Sequence, residues 1–313
     1  MSDTRRMREI KLIIVLAVLS VLIYSVAFEA KALTSFREKS DAEAGLIIGN
    51  DVNELSIAMD GKSYTLINQN KNWICIEEKN LAIRQTMVSE MAETMKKLQP
   101  YRRIEYKEEY STKFGFDNPV CTIKVNQSDG EKTFFVGKLN TALDKFYFIE
   151  QGQEICYLID WEQINKMTKS LLDLAAPPDI YSKEGAELKE FQVNGPKGTF
   201  TVRKDGDSFF LYQNGKEKRE IDDAALNLFY SLKAASYDNC VEYDAKENQL
   251  SKYGLDKCTA TIELQFDGEK MEFFIGQEKN GTNYLSFDDE RVIFALNNED
   301  YEDILKNCDP GNL

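Results

Sequence analysis

Residues 114–137 read FGFDNPVCTIKVNQSDGEKTFFVG, and residues 253–276 read YGLDKCTATIELQFDGEKMEFFIG. Both carry aromatic-Gly-apolar-Asp, then Thr-Ile, then Asp-Gly-Glu-Lys, then Phe-Phe-apolar-Gly. Apolar and polar residues alternate on either side of the Asp-Gly pair. That is the pattern of a hairpin, because successive side chains of a strand point to opposite faces. Asp-Gly supplies the positive φ angles that a two-residue turn needs. The repeat distance exceeds 100 residues, so the pattern predicts a tandem pair of domains rather than a solenoid.

The likeness extends outward from these stretches. Upstream, Ile104-Glu105-Tyr106 stands against Val241-Glu242-Tyr243. Before that, Met91, Met95 and Leu98 stand against Leu228, Leu232 and Ala235, a spacing of four and three that marks one face of a helix. Asp222 is a candidate N-cap for the second of these helices. Earlier still, KSYTLINQNKNWICI and GTFTVRKDGDSFFLY alternate as half-buried strands do. Downstream, each copy gives two strands and a short helix, with Asp160 and Asn297 as caps. Asp-Gly and Asn-Gly pairs recur from Asp60-Gly61 to Asn280-Gly281 and make the whole hairpin-rich.

The predicted fold class is therefore α+β: two tandem copies of a module with a hairpin-rich antiparallel sheet and helices, preceded by one transmembrane helix. The predicted boundaries are a basic tail at 1–11, an anchor at 12–28, a juxtamembrane linker at 29–51, modules at 52–170 and 186–308, a linker at 171–185 and a tail at 309–313. The inter-module boundary falls at Pro177-Pro178, which cannot continue a helix.

Composition narrows the function classes. The chain of 313 residues has a formal net charge of -14, which opposes binding to a phosphate backbone, so no nucleic acid is expected. It has no histidine, which removes Ser-His-Asp and Cys-His catalysis and the commonest zinc ligand. The six cysteines form no Cys-x-x-Cys pair, and several sit in apolar runs such as NWICI and EICYLI. They read as small buried hydrophobes, with a disulfide pairing the rival for a domain outside the cell.

At the N-terminus, Arg5, Arg6, Arg8 and Lys11 precede an uncharged run from Leu12 to Phe28. A helix of this length nearly spans the hydrocarbon core, and the positive flank places the N-terminus in the cytoplasm. All later residues are then extracytoplasmic, held at the cell membrane by a single span. A signal peptide cleaved after Ala30-Lys31-Ala32 is the competing reading.

The basic start with one apolar run, the strand around Trp73, the KFGFDNP and KYGLD turns and the FFVG and FFIG strand ends resemble the bacterial domain of unknown function catalogued as family 4340. The resemblance covers nearly all of the chain beyond the anchor. Pro119 follows the first turn, whereas Lys257-Cys258 stands in the second. Family members are similar in being membrane-anchored, with genes often beside those of ABC transporters of the gliding-motility or auxiliary type. The resemblance implies an accessory role with transporter subunits as partners, and it brings no catalytic residues.

The residues themselves point to no chemistry. Asp117 and Asp256 recur, but each follows a glycine turn (Gly115, Gly254) and reads as a structural turn residue. Glu105 and Glu242 alternate with apolar neighbours and read as solvated strand faces. The clusters Asp288-Asp289-Glu290 and Asn297-Asn298-Glu299-Asp300 lack the spacing of an EF-hand and read as a hairpin tip and a helix start. No glycine-rich phosphate loop occurs. No catalytic, cofactor-binding or metal residue is assigned, and no cofactor is expected. The expected function is a non-catalytic binding or accessory component beside an ABC transporter. The alternatives are an envelope enzyme acting on a wall polymer through carboxylates, or a structural spacer.

Overall fold

The computed structural model describes residues 51–128, 130–221, 223–288 and 291–313. The basic tail, the anchor at 12–28, the linker up to residue 50, Asp129, the candidate cap Asp222, and Asp289 and Glu290 lie outside the described residues. Among the described residues no helix is long and apolar enough to cross a membrane.

The first eight strands are β1 (Glu54–Met59), β2 (Lys62–Gln69), β3 (Asn72–Cys75), β4 (Arg102–Glu105), β5 (Cys121–Gln127), β6 (Gly130–Asn140), β7 (Lys145–Glu150) and β8 (Ile155–Asp160). Helix α1 (Gln85–Lys96) precedes β4, α2 (Ser111–Phe114) precedes β5, and α3 (Trp161–Met167) follows β8. The strands form one sheet in the order β3-β2-β1-β5-β6-β7-β8-β4. After α4 (Leu171–Leu174) come β9 (Glu190–Gly195), β10 (Gly198–Asp205), β11 (Ser208–Gln213) and β12 (Lys216–Ile221). Helix α5 (Asn227–Ala234) leads to β13 (Cys240–Glu242), β14 (Ala260–Gln265), β15 (Lys270–Ile275), β16 (Asn283–Phe287), β17 (Ile293–Leu296) and α6 (Asn298–Asn307). Their sheet has the order β12-β11-β10-β9-β14-β15-β16-β17-β13. With β9 set against β1 and β14 against β5, the two orders agree strand for strand. The single addition is β12, at the edge.

Both sheets are antiparallel and alternate as read. Ile57, Ile123 and Phe134 face one another across three strands of the first sheet and are buried. Val193, Ile262 and Phe273 do so in the second. Met91, Met95 and Leu98 are fully buried, as are Leu228 and Leu232, so the helix faces read from spacing are core faces. Emptying one such site to alanine costs about 2–5 kcal/mol.

The described residues divide into two compact units: 51–63 with Met91–Thr168, and Tyr64–Glu90 with Lys169–Leu313. Within the second unit the segment around α4 is packed. Ser170 and Asp173 form a reciprocal capping box, and Leu174, Ala175 and Ile180 are fully buried. Ile83 bridges to Ala175, and Ala176 N–H donates to the Ala82 carbonyl at 2.8 Å. Arg84 locks this pairing. Its Nε donates to the Ala175 carbonyl at 2.9 Å, and its Nη2 donates to the Tyr237 carbonyl. The outer edge of β3 is closed by one side chain. Gln85 accepts from Trp73 N–H at 2.7 Å and donates to the Trp73 carbonyl at 2.9 Å, as a neighbouring strand would.

The cap readings divide. Asn297 accepts from Asp300 N–H at 2.8 Å and caps α6. Asp160 occupies the cap position of α3 but makes no cap bond, because its carboxylate takes Lys145 Nζ at 2.5 Å instead.

Candidate functional site

The repeated glycines hold the two ends of each motif together. Gly115 ends α2 at φ 83°, and Gly254 ends the preceding 3-10 turn at φ 69°, a left-handed backbone that glycine adopts without strain. Each packs against the chain just after the Phe-Phe-apolar-Gly strand end. A Cβ on Gly115 would lie 2.8 Å from Lys138 N, and one on Gly254 would lie 2.2 Å from the Gln277 carbonyl oxygen. The strand-end glycines answer: a Cβ on Gly137 would lie 2.2 Å from the Phe114 carbonyl oxygen, and one on Gly276 would lie 2.6 Å from that of Tyr253. Asp117 accepts from Asn118 N–H at 3.1 Å, and Asp256 sits in a 3-10 turn. Both are exposed, and neither lines a cavity described below.

This clasp lays an aromatic layer on the second face of each sheet. In the first, Phe114, Phe116, Ile149 and Cys156 are buried together, with Ile104, Tyr106, Phe135 and Tyr147 against them. Phe114 stacks on Tyr147 at 4.4 Å, and Tyr106 meets Phe116 edge-on at 5.6 Å. In the second, Ala245, Tyr253, Leu255 and Ile293 are buried, with the half-buried Val241, Phe274 and Tyr284 against them.

Beside the first layer runs an open groove of about 1280 Å³. Its apolar floor is Tyr106, Phe116, Phe135 and Ile149. Its walls are the start of the 107–111 segment and the turn between β7 and β8, where Gly152 takes φ 81°. Four glutamates line it, Glu105, Glu108, Glu150 and Glu154, against one lysine, Lys107. None of the four pairs with a lysine or arginine among the described residues. Tyr106 N–H donates to the Glu154 carbonyl at 2.8 Å and fixes the wall. Burial pushes the Tyr106 phenol up from its ordinary pKa, so it stays a neutral hydrogen-bonding group.

The second unit has a smaller pocket, about 290 Å³, at the turn between β16 and β17. Leu81, Ala82, Pro177 and Pro178 form one wall; Tyr243 and Arg291 stand on the other. Arg291 pairs with Asp244 and approaches Glu78 at 3.9 Å. Hydrogen bonds from Lys246 and Arg291 hold the Asp244 carboxyl below its ordinary pKa.

Other polar groups are structural. Ser231 Oγ donates to Asp303 Oδ2 at 2.6 Å and accepts from Asn307 Nδ2 at 2.7 Å, joining α5 to α6. No described cavity opens onto this trio. The cysteines are free, and all but Cys258 are buried. Burial pushes Cys121, Cys156 and Cys308 up to about 12 and Cys240 up to about 11, so none is a ready nucleophile. Among the described residues no group of three or more Asp, Glu or Cys is placed to hold a metal ion.

Sequence reading placed Glu105 on the solvent side but did not bring it to a groove. Glu150 and Glu154 are missed altogether. The only local sign is that EYKEE (105–109) and EQGQE (150–154) are both acid-rich.

The described residues thus define a hairpin-rich α+β protein of two antiparallel sheets with an acid-rimmed groove on one of them. The chain belongs to the family described as Domain of unknown function (DUF4340), whose model matches residues 73–237, more than half of the 313. That match includes the whole groove. No curated protein and no solved structure matches the chain.

Proposed function

We propose that this protein is a non-catalytic binding component that works beside an ABC transporter. Residues 12–28 anchor it as a single span, with 1–11 in the cytoplasm and the sheets outside. The two sheets descend from one duplicated module, at 52–170 and 186–308. The observation that carries the binding reading is the groove. It is broad, open, floored by aromatic side chains and rimmed by four carboxylates that form no ion pair among the described residues, which suits a polypeptide segment better than an enclosed reactant. The matching strand orders and the paired glycine clasps support duplication. The basic start before an uncharged run supports the anchor, and the anchor would raise the effective concentration of the groove for a membrane partner. The transporter comes from the family resemblance, and its ATPase would be another chain.

A photocrosslinking residue at Gln151 or Gln153 in native membranes tests this. A transporter membrane subunit should be captured, and still captured when the anchor is replaced by an unrelated helix. Loss of capture with the native anchor would overturn the groove as the contact. The carboxylates also keep a wall-polymer hydrolase in view. Hydrolysis by the purified protein that Glu105→Gln abolishes would replace the binding reading.

A further inference from the structure

Each unit has a cavity beside the equivalent hairpin, broad in the first and narrowed by an extra wall in the second. In the first sheet Tyr147 pairs with Leu158 and Ile149 with Cys156; in the second Tyr284 pairs with Ala295 and Ser286 with Ile293. The hairpins therefore share length and register. Tyr106 and Tyr243 follow the equivalent strands β4 and β13 and line the respective cavities. Counting two residues before Cys156 gives Glu154, and two before Ile293 gives Arg291.

What differs is the opposite wall. In the second unit it is built by two extended segments of that same unit, at 82–84 and 174–176, which bridge to one another and leave about 290 Å³. These segments and the prolines that follow present small and ring side chains, Ala82, Ala176, Pro177 and Pro178, and Glu78 stands 3.9 Å from Arg291. In the first unit no such segment is among the described residues that line the groove, and about 1280 Å³ is open. At the position of Arg291 stands Glu154, with three further glutamates around it.

Building on the binding reading above, we infer that the first groove takes an extended segment of a partner polypeptide. The segment is rich in proline and small residues and carries a lysine or arginine that meets Glu154. The second unit supplies the shape of the occupant, and the exchange of Arg291 for Glu154 reverses its charge. Proline suits such a segment because it is already extended and loses little entropy on docking. The charge sets which sequences dock more than how tightly they dock.

The test is selection of a displayed random 12-residue peptide library against the full chain in nanodiscs, run in parallel on Glu154→Arg. Lysine- or arginine-bearing extended peptides should be enriched on the native chain. Their affinity should fall at least about tenfold on Glu154→Arg, which should select acidic peptides instead. Glu154 is exposed, and Glu154→Gln, expected to lose the basic preference without gaining an acidic one, serves if the charge reversal disturbs the hairpin. Identical selections on native and Glu154→Arg chains would overturn the inference, as would no enrichment at all. Either result leaves the crosslinking test standing, so the two readings fail separately.

Discussion

The backbone of Gly137 runs against the carbonyl oxygen of Phe114 so closely that a Cβ there would lie 2.2 Å from it. Gly276 stands in the same relation to Tyr253, at 2.6 Å. Neither neighbour can yield cheaply, since both are backbone oxygens rather than the far end of a side chain. Gly137→Ala and Gly276→Ala should each cost about 1–3 kcal/mol or more through overpacking. Gly61→Ala, where the space is open and only the φ of 73° opposes a side chain, should cost about 1 kcal/mol. Urea midpoints of the three variants check the order, and equal losses would remove the clasp.

Arg84 predicts a second ranking. Its guanidinium satisfies the carbonyls of Ala175 and Tyr237, and its side chain is only 19% exposed, whereas Asp238, 3.8 Å away, is 89% exposed. Arg84→Ala should destabilise by about 1–3 kcal/mol, because it strands buried acceptors. Asp238→Asn should change stability by less than about 0.5 kcal/mol, because an exposed ion pair contributes little. Thermal unfolding of both variants decides it.

The buried thiols predict a pH dependence. Below pH 9.0, the ordinary thiol value, these groups are protonated whether the chain is folded or not, and their contribution is fully present. As pH rises past 9.0 the unfolded chain loses protons that the folded chain keeps until about 12, so stability falls across that window. Replacing Cys121 by valine should make the decline of the urea midpoint between these limits shallower. At pH 8 a thiol reagent should leave Cys75, Cys121, Cys156, Cys240 and Cys308 unmodified until the protein unfolds.

Ser231 joins two helices and takes no part in the groove. Ser231→Ala takes a partner from Asp303 and from Asn307, both within 2.7 Å, and should cost about 1–3 kcal/mol. Peptide binding at the groove should be unchanged. A loss of binding without a loss of stability would contradict the joint.

Much of this architecture was legible because its signals are local. Met91, Met95 and Leu98 announce a buried face by spacing alone, and the two aromatic-Gly turns announce themselves by recurrence. β12 was not legible: KEKREI has no apolar alternation, as suits a strand at an edge. Asp160 misled because a cap bond and an ion pair compete for one carboxylate, and Lys145 lies on a strand that only the fold brings near. The groove was hidden for the same reason. Tyr106 and Glu154 lie far apart in the chain, and the register of β4 on β8 joins them.

A sheet can lengthen at its margin without any resident strand changing partner. β12 stands at such a margin, paired with β11 alone. A strand inserted between β9 and β14 would instead part every pair from Thr261–Asn194 to Gln265–Glu190. The β11 side is thus the direction in which evolution can add length and an engineer can splice. A reporter hairpin grafted at Asn214-Gly215, an open turn, should leave the clasp, the core and the groove undisturbed.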